Sequence, residues 1–459
     1  MLCRTFSFAG RSIILLWILI SNLSKVAVPF PQGDFLVVIL SFFVGKGTGP
    51  CTITPEFLAI SIIKLQTWFS ILISILLNFT LTFGAIKLEF KVSLKTLLFS
   101  SNRKLYKSGL RMRLMENVSK TGLQPKKVAV LLGDLNSPHS IKKGVTFFEE
   151  EKETISRLKE ALNEFEEYKF IYLENHSTLR KDLVKNRDEI KYVLNLCDEG
   201  MNNKPSREAD IPRFLSKLRI PYTGAEAGCI KFCYDKWKVR NHVKDMVPVP
   251  RAYIFGRGDK LETKINFPVI IKPTRGDGSS GITKQSVVRD KISLRDAVSM
   301  LREEFSYKGK IMAEEFLEGD DISVGIIGNP PKEYTIFPAI KEDYSSLPGE
   351  FPKICGYEAK WIPDSPYSNL KSVPACLTSE KQNEIERHSV KLFEALNCKD
   401  YIRLDWRLNL KGEPKLLEVN PNPGWCWDGH LAKMANLGGV SYSKMLEMIL
   451  KTAERRLGL

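Results

Sequence analysis

The sequence predicts an α/β protein whose C-terminal part is α+β and whose N-terminus is an apolar extension. Three observations predict this. From residue 126 onward, short apolar runs alternate with amphipathic stretches, the pattern of a parallel sheet covered by helices. Near the C-terminus, residues 401–424 read as two alternating runs around Lys411-Gly412, a β-hairpin. The first 120 residues fit neither pattern: they are apolar, poor in acids and without clear periodicity.

The extension holds two candidate targeting features. Residues 12–24 form a short apolar run between Arg11 and Lys25, like a signal h-region. Residues 65–86 are uncharged, flanked by Lys64 and Lys87, and long enough to span a bilayer. After Met1 the next methionines are Met112 and Met115, so the stretch reads equally as an upstream extension without function.

The folded part follows in order. Residues 127–132 (KVAVLL) are a buried parallel strand ended by Gly133. Residues 149–166 are a helix, with Ile155, Leu158, Leu162 and Phe165 on one stripe. Strands at 169–173 and 192–196, a helix at 207–218 and a short strand and turn at 220–224 complete a parallel unit. Ligands of such sheets sit at the carboxyl ends of the strands, so the loops 133–144 and 198–206 should face one. A helix at 235–244 precedes a strand at 269–272. Next comes a Gly/Ser-rich loop, 273–281, read either as a phosphate cradle or as a mobile surface loop. A helix at 293–304 and strands at 310–316 and 322–327 follow. Residues 341–375 read as irregular, 379–396 as an amphipathic helix and 438–456 as a closing helix.

A chain of 459 residues should hold two or three domains. Its net charge of +15 has no Lys/Arg block, zinc-finger spacing or aromatic-studded basic repeat behind it, so no nucleic-acid partner is predicted. The charge fits phosphate-bearing small substrates. The nine cysteines are scattered without a CxxC pair, as in a reduced intracellular protein, and Cys229 and Cys233 read as buried helix thiols. The catalytic part is therefore expected in the cytoplasm, with membrane anchoring through the extension as the open alternative.

The hairpin carries the sharpest chemistry. A two-residue turn at Lys411-Gly412 makes Leu410 face Glu413, Asp405 face Glu418 and Arg403 face Asn420. Alternate residues share a face, so Arg403, Asp405, Glu418 and Asn420 cluster. Two facing carboxylates repel. A divalent cation held by oxygen donors is the natural compensation, and Asp, Glu and an amide oxygen suit Mg²⁺.

Further motifs fall in order along 126–459: Tyr222-Thr223-Gly224 with Asp235-Lys236, and Pro268-Val269-Ile270-Ile271-Lys272-Pro273 with Asp277-Gly278-Ser279-Ser280-Gly281. Ala313-Glu314-Glu315-Phe316-Leu317-Glu318-Gly319 and Tyr357-Glu358-Ala359-Lys360 follow. The last is Arg403-Leu404-Asp405 with Glu418-Val419-Asn420-Pro421-Asn422-Pro423-Gly424. This ordered set resembles an ATP-grasp ligase of the D-alanine–D-alanine ligase-like group. The resemblance implies a pre-ATP-grasp α/β domain at 126–230, a small ATP-grasp subdomain at 231–308 and a C-terminal catalytic subdomain at 309–459.

It also implies roles. Lys236 and Lys272 would contact ATP phosphates, and the loop bearing Gly278, Ser279 and Gly281 would close over them. Glu314 and the backbone of Glu315, Phe316 and Leu317 would bind adenine, and Asp321 the ribose. Lys360 would reach the γ-phosphate. Asp405, Glu418 and Asn420 would hold two Mg²⁺ ions, or Mn²⁺ in their place. Arg403 would stabilise charge at the reacting carboxylate. The substrates would be ATP and amino-acid-like molecules, and a homodimer is compatible with the group.

The chain departs from the group's pattern at the dipeptide site. The Glu of the loop after the first strand is missing from Gly133-Asp134-Leu135-Asn136-Ser137-Pro138-His139. The Tyr after the lid lysine is Trp361, while Ser279 is kept. Cys426-Trp427-Asp428-Gly429-His430 stands where a Ser is expected, and Trp361, Trp425 and Trp427 invite a larger or more apolar acid. Two functions stay open: an ATP-dependent carboxylate–amine ligase, and a non-catalytic nucleotide-binding or membrane-tethered regulatory protein that kept the fold.

Overall fold

A computed structural model of the chain describes residues 124–139, 149–331 and 333–459, together with the backbone of strand segments between residues 35 and 91. The chain divides into two compact units, 1–123 and 124–459. In the first, Phe35–Ile39 pairs antiparallel with Ala59–Ile63, and Ser41–Lys46 pairs with Gly49–Ile53 and Ile86–Lys91. The signal-like run 12–24 and residues 65–79 of the candidate span lie outside the described residues; Thr80–Phe83, near the end of that span, is a strand. Among the described residues no helix is long and apolar enough to cross a membrane.

The second unit holds three sheets. In the first, β1 (Lys126–Leu131) lies between β2 (Tyr168–Leu173) and β3 (Tyr192–Asn195), all parallel. Both faces of β1 are buried, as its continuous apolar run predicts. Val128, Val130 and Leu132 join one core with Leu158 and Leu162 of α1 (Glu149–Leu162). Ala129 and Leu131 join another with Leu179 and Leu183 of α2 (Leu179–Asn186) and Ile211 and Leu215 of α3 (Asp210–Lys217). Tyr222 adds a parallel bridge to Val193. Helices α4 (Ala227–Cys233) and α5 (Lys236–Val243) then lead out of this layer.

The second sheet is antiparallel. Its order is β4 (Ala252–Phe255), β7 (Ile311–Glu315), β5 (Val269–Pro273), β6 (Val287–Val288). Helix α6 (Lys291–Glu303) covers it with Leu294, Ala297, Met300 and Leu301, and starts at a capping box between Asp290 and Ser293. The sheet therefore runs to Glu315, past the boundary expected at 308, because β7 pairs with β4 and β5.

The third sheet carries the site. It contains β8 (Asp321–Asn329), β9 (Glu333–Ile336), β10 (Ile340–Asp343), β11 (Lys371–Pro374), β12 (Tyr401–Leu408) and β13 (Pro414–Asn420). The path is β11-β10-β8-β12-β13, with β9 also on β8. The stretch 341–375, expected to be irregular, contains the end of β10, a five-residue helix α7 (Tyr357–Trp361) and β11. These strands are four residues each, too short to show a period, and their pairing is long-range. Helix α8 (Ser379–Ala395) buries Ile385, Leu392 and Phe393 against one side. The closing helix expected at 438–456 is α10 (Tyr442–Leu457), and a separate helix, α9 (His430–Leu437), precedes it. Gly439 at φ +76° lies between them, and Ser441 caps α10 by accepting from Lys444 N.

The hairpin differs from expectation in two ways that cancel. Its loop has three residues, not two: Asn409 N donates to Glu413 O at 3.0 Å, and Gly412, at φ +75°, closes a turn onto Asn409 O. Asn409, not Leu410, therefore faces Glu413. One strand position on, Leu417 bulges, so that Trp406 pairs with Leu416 while Asp405 pairs with Glu418. The bulge restores the register, and Arg403 faces Asn420 as predicted.

Candidate active site

Arg403, Asp405, Glu418 and Asn420 share one face of the β12–β13 hairpin. Asp405 Oδ1 accepts from Ser323 Oγ of neighbouring β8 at 2.8 Å. Arg403 binds Asp405 through Nε at 3.0 Å and Nη2 at 2.9 Å, and Asn420 Nδ2 donates to Asp405 Oδ2 at 2.9 Å. Lys236 Nζ sits 2.7 Å from Glu418 Oε1. The repulsion between the facing acids is thus already met by two cations, one per carboxylate, which sequence reasoning gave wholly to a metal. Burial pushes the Asp405 carboxyl up, but Arg403 and the Ser323 hydroxyl outweigh it and hold it below the usual range. Burial likewise disfavours the Lys236 ammonium, and Glu418 more than restores it.

These donors fit a hard divalent cation. Two carboxylates and an amide converge on one face, and the Asn420 nitrogen is spent on Asp405, leaving its oxygen for a ligand. Among the described residues no group of three or more His, Cys, Asp or Glu side chains is placed to hold a metal.

The Gly-rich loop closes over this face. Lys236 opens α5 behind its cap Asp235, and its Nζ donates to Gly276 O at 2.6 Å. The backbone is left-handed at Gly278 (φ +60°), Ser279 (φ +58°) and Gly281 (φ +76°). A Cβ at Gly281 would stand 2.5 Å from Leu301 Cδ2 and in a left-handed backbone, so any other residue there would be strained and would push Leu301 aside. Helix α7 locks onto the loop: Trp361 Nε1 donates to Gly278 O at 2.9 Å, Ser279 Oγ to Cys355 O at 3.1 Å, and Lys284 N to Glu358 Oε1 at 2.9 Å. His139, from the loop after β1, approaches Trp361 with ring centroids 6.0 Å apart. Lys360 lies exposed at the end of α7. The glycine-rich loop and the 341–375 stretch are thus bonded to one another.

Away from the hairpin face, the second sheet supplies a buried pair, Lys272 on β5 and Glu314 on β7, joined Nζ to Oε1. Glu315 turns elsewhere: its carboxylate accepts from Arg251 N and Lys415 Nζ, both at 3.1 Å. Its amide donates to Arg251 O at 2.8 Å, and that of Phe316 to Pro268 O at 3.2 Å. Leu317 is buried beside them. Asp321 begins β8 and is held by Arg407 Nη1 at 3.0 and 2.9 Å and by the Tyr344 hydroxyl. Sequence reasoning missed Ser323, Tyr344 and Arg407. Period-two alternation from Arg403 through Asp405 points to Arg407, whereas Ser323 and Tyr344 arrive by long-range pairing.

Acids also gather where the parallel strands end. Burial pushes Asp198 up to about 6, and it raises Glu208 as well, which accepts from Asn422 Nδ2 at 2.9 Å. Tyr401 ties this layer to the hairpin, its hydroxyl donating to Asn422 Oδ1 at 2.7 Å and lying 3.1 Å from Asn195 O. The three tryptophans have different settings. Trp425 belongs to the core, Trp427 is 39 % exposed against the Arg157 guanidinium, and Trp361 holds the lid.

Residues 243–451 match the family described as D-ala D-ala ligase C-terminus. An uncharacterised protein, y4sG, of Sinorhizobium fredii is 30 % identical over 265 residues, covering 58 % of this chain and 75 % of that protein. A D-alanine–D-alanine ligase A of Bacillus cereus is 25 % identical over 279 residues, covering 60 % and 84 %. Among solved structures, the VanG D-Ala:D-Ser ligase of Enterococcus faecalis superposes with a TM-score of 0.54 at 20 % identity, over 72 % of this chain and all of that one. A D-alanine–D-alanine ligase of Bacillus anthracis gives 0.54 at 23 %, over 72 % and 98 %. With the match to this family's C-terminal part, a relative 30 % identical over three quarters of its length, and these motifs and sheets, the chain belongs to the D-alanine–D-alanine ligase-like family of ATP-grasp proteins.

Proposed function

We propose that the chain is an ATP-dependent carboxylate–amine ligase acting on amino-acid-like substrates. The observation that carries this reading is the hairpin face: two carboxylates held opposite each other, each with its own cation, beneath a glycine-rich loop. ATP would lie between the second and third sheets. Glu314 and the Glu315–Leu317 backbone would take its base, Asp321 its ribose, and Lys236, Lys272 and the loop around Gly278, Ser279 and Gly281 its phosphates. Asp405, Glu418 and Asn420 would hold two divalent cations, Mg²⁺ or Mn²⁺, which offset phosphate charge during transfer when bound.

The substrate carboxylate attacks the γ-phosphorus, the bond to ADP breaks and an acyl phosphate forms. The amine then attacks the acyl carbon, phosphate leaves and the amine proton passes to solvent. Arg403, between Asp405 and the reacting end, stabilises the charge that develops at the acyl oxygen. Lys360 enters with α7 toward the γ-phosphate, and the Trp361–Gly278 bond keeps water from the acyl phosphate. No side chain acts as a nucleophile, so positioning and electrostatics supply the rate. The test is ADP and phosphate release by the full chain with Mg²⁺ and ATP across pools of D- and L-amino acids. Stimulation by at least one pool, lost in Glu418→Gln, is expected. Absence of stimulation by every pool, with ATP binding unaffected by Glu418→Gln, refutes the reading.

A further inference from the structure

Arg407 is 4 % exposed and stands directly opposite Asp321 in the β8–β12 ladder. Its Nη1 binds both Asp321 oxygens, at 3.0 and 2.9 Å, and its Nη2 donates to Lys353 O at 2.5 Å. The guanidinium lies 5.0 Å over the Phe316 ring. Its Nε is buried and has no acceptor among the described residues. A buried cation with an unmade hydrogen bond is a poor way to stabilise a strand, and an apolar side chain there would pack without that cost. What the arrangement achieves is control of one carboxylate. Burial pushes the Asp321 carboxyl above its usual range. Arg407 opposes this, and with the Tyr344 hydroxyl it fixes the carboxylate plane.

We infer that Arg407 is a positioning residue for nucleotide specificity: it orients Asp321 so that the acceptor position left on its Oδ1 faces the ribose hydroxyls. Phe316, beneath the same guanidinium, links this clamp to the stretch that takes the base. The inference rests on the ATP reading of the site, and a binding measurement separates the two because it needs no knowledge of the acid or amine.

The experiment is equilibrium binding of Mg²⁺–ATP and Mg²⁺–2′,3′-dideoxy-ATP to the full chain, as wild type, Arg407→Met, Arg407→Lys and Tyr344→Phe. Hydrogen bonds to a charged acceptor predict that the wild type prefers ATP by about 10- to 100-fold. Arg407→Met should bring that ratio below about threefold, with the loss falling on ATP and little change for the dideoxy nucleotide. Arg407→Lys and Tyr344→Phe should give intermediate ratios. If Arg407→Met does not fold, those two variants decide: lowered ratios support the inference and unchanged ratios overturn it. Equal weakening of both nucleotides marks Arg407 as merely structural and overturns it. A wild type that binds both nucleotides equally overturns it while leaving the ATP site intact. A wild type that binds neither overturns the ATP reading itself.

Discussion

Removing one member of the Lys272–Glu314 pair should cost more than removing both. Lys272 is 5 % exposed and Glu314 3 %, so neither charge can turn to water when its partner is lost. Breaking a buried pair from one side typically costs about 3–5 kcal/mol, because the surviving charge is left uncompensated. Lys272→Met and Glu314→Gln should each fall in that range. In Lys272→Met/Glu314→Gln both charges are gone and the volumes are nearly kept, so the double variant should lose only about 1–2 kcal/mol. The coupling is then several kcal/mol, far outside the roughly 0.5 kcal/mol scatter of independent sites. The assay is urea unfolding of the full chain and the three variants without nucleotide, followed by tryptophan fluorescence. Additive single effects would show that the pair is reached by solvent and that the second sheet does not need it.

Three further outcomes follow from the site. Glu418→Gln leaves Lys236 Nζ with Gly276 O as its remaining close partner and removes an anionic donor, so a Mg²⁺ titration of nucleotide binding should shift upward by about tenfold or more. Asp198 has a folded pKa raised to about 6, so its neutral form is the one the fold prefers. That preference is fully present below the unfolded value of about 4 and is lost as pH rises through 6. The stability of Asp198→Asn relative to wild type should therefore grow between pH 4 and 7 and then level off, at about 1–3 kcal/mol. Trp361→Phe removes the bond to Gly278 O, worth about 1 kcal/mol, so limited proteolysis within 345–356 should run about fivefold faster.

The sequence made the strands and the hairpin face legible because their signals are local. The run at 127–132 is apolar on both faces, and β1 is buried on both. The acids at 405 and 418 face each other because strand period is two, although the loop and the bulge each shift the register by one. That success was partly fortunate, since either irregularity alone would have broken the alignment. What stayed hidden is long-range. Nothing near Asp321 in the chain announces Arg407, 86 residues away, and nothing near Gly278 announces Trp361. The separate helix α9 went unread because eight residues are too few to show a clear helical period, and α10 starts only past Gly438-Gly439, at its cap Ser441.

The pairs in the site explain why so polar a cleft is stable. Lys236 is held by Glu418, Lys272 by Glu314, Arg403 by Asp405 and Arg407 by Asp321. Three of these acids are the groups assigned to metal or ribose, and three of the cations are those assigned to phosphate or to the reacting carboxylate. Two of the pairs, Lys236–Glu418 and Arg403–Asp405, therefore join a group meant for anionic oxygens to one meant for metal. Without ligand the charges cancel in place, which limits the desolvation cost of burying them. A metal–nucleotide complex brings both signs at once and can exchange partners with the pairs without leaving any charge alone. Bare nucleotide would compete with Glu418 for Lys236 and free a carboxylate; bare metal would compete with Lys236 for Glu418 and free an ammonium. On the proposed reading, the pairing would favour the complex over either component at the hairpin face, where phosphoryl transfer would take place.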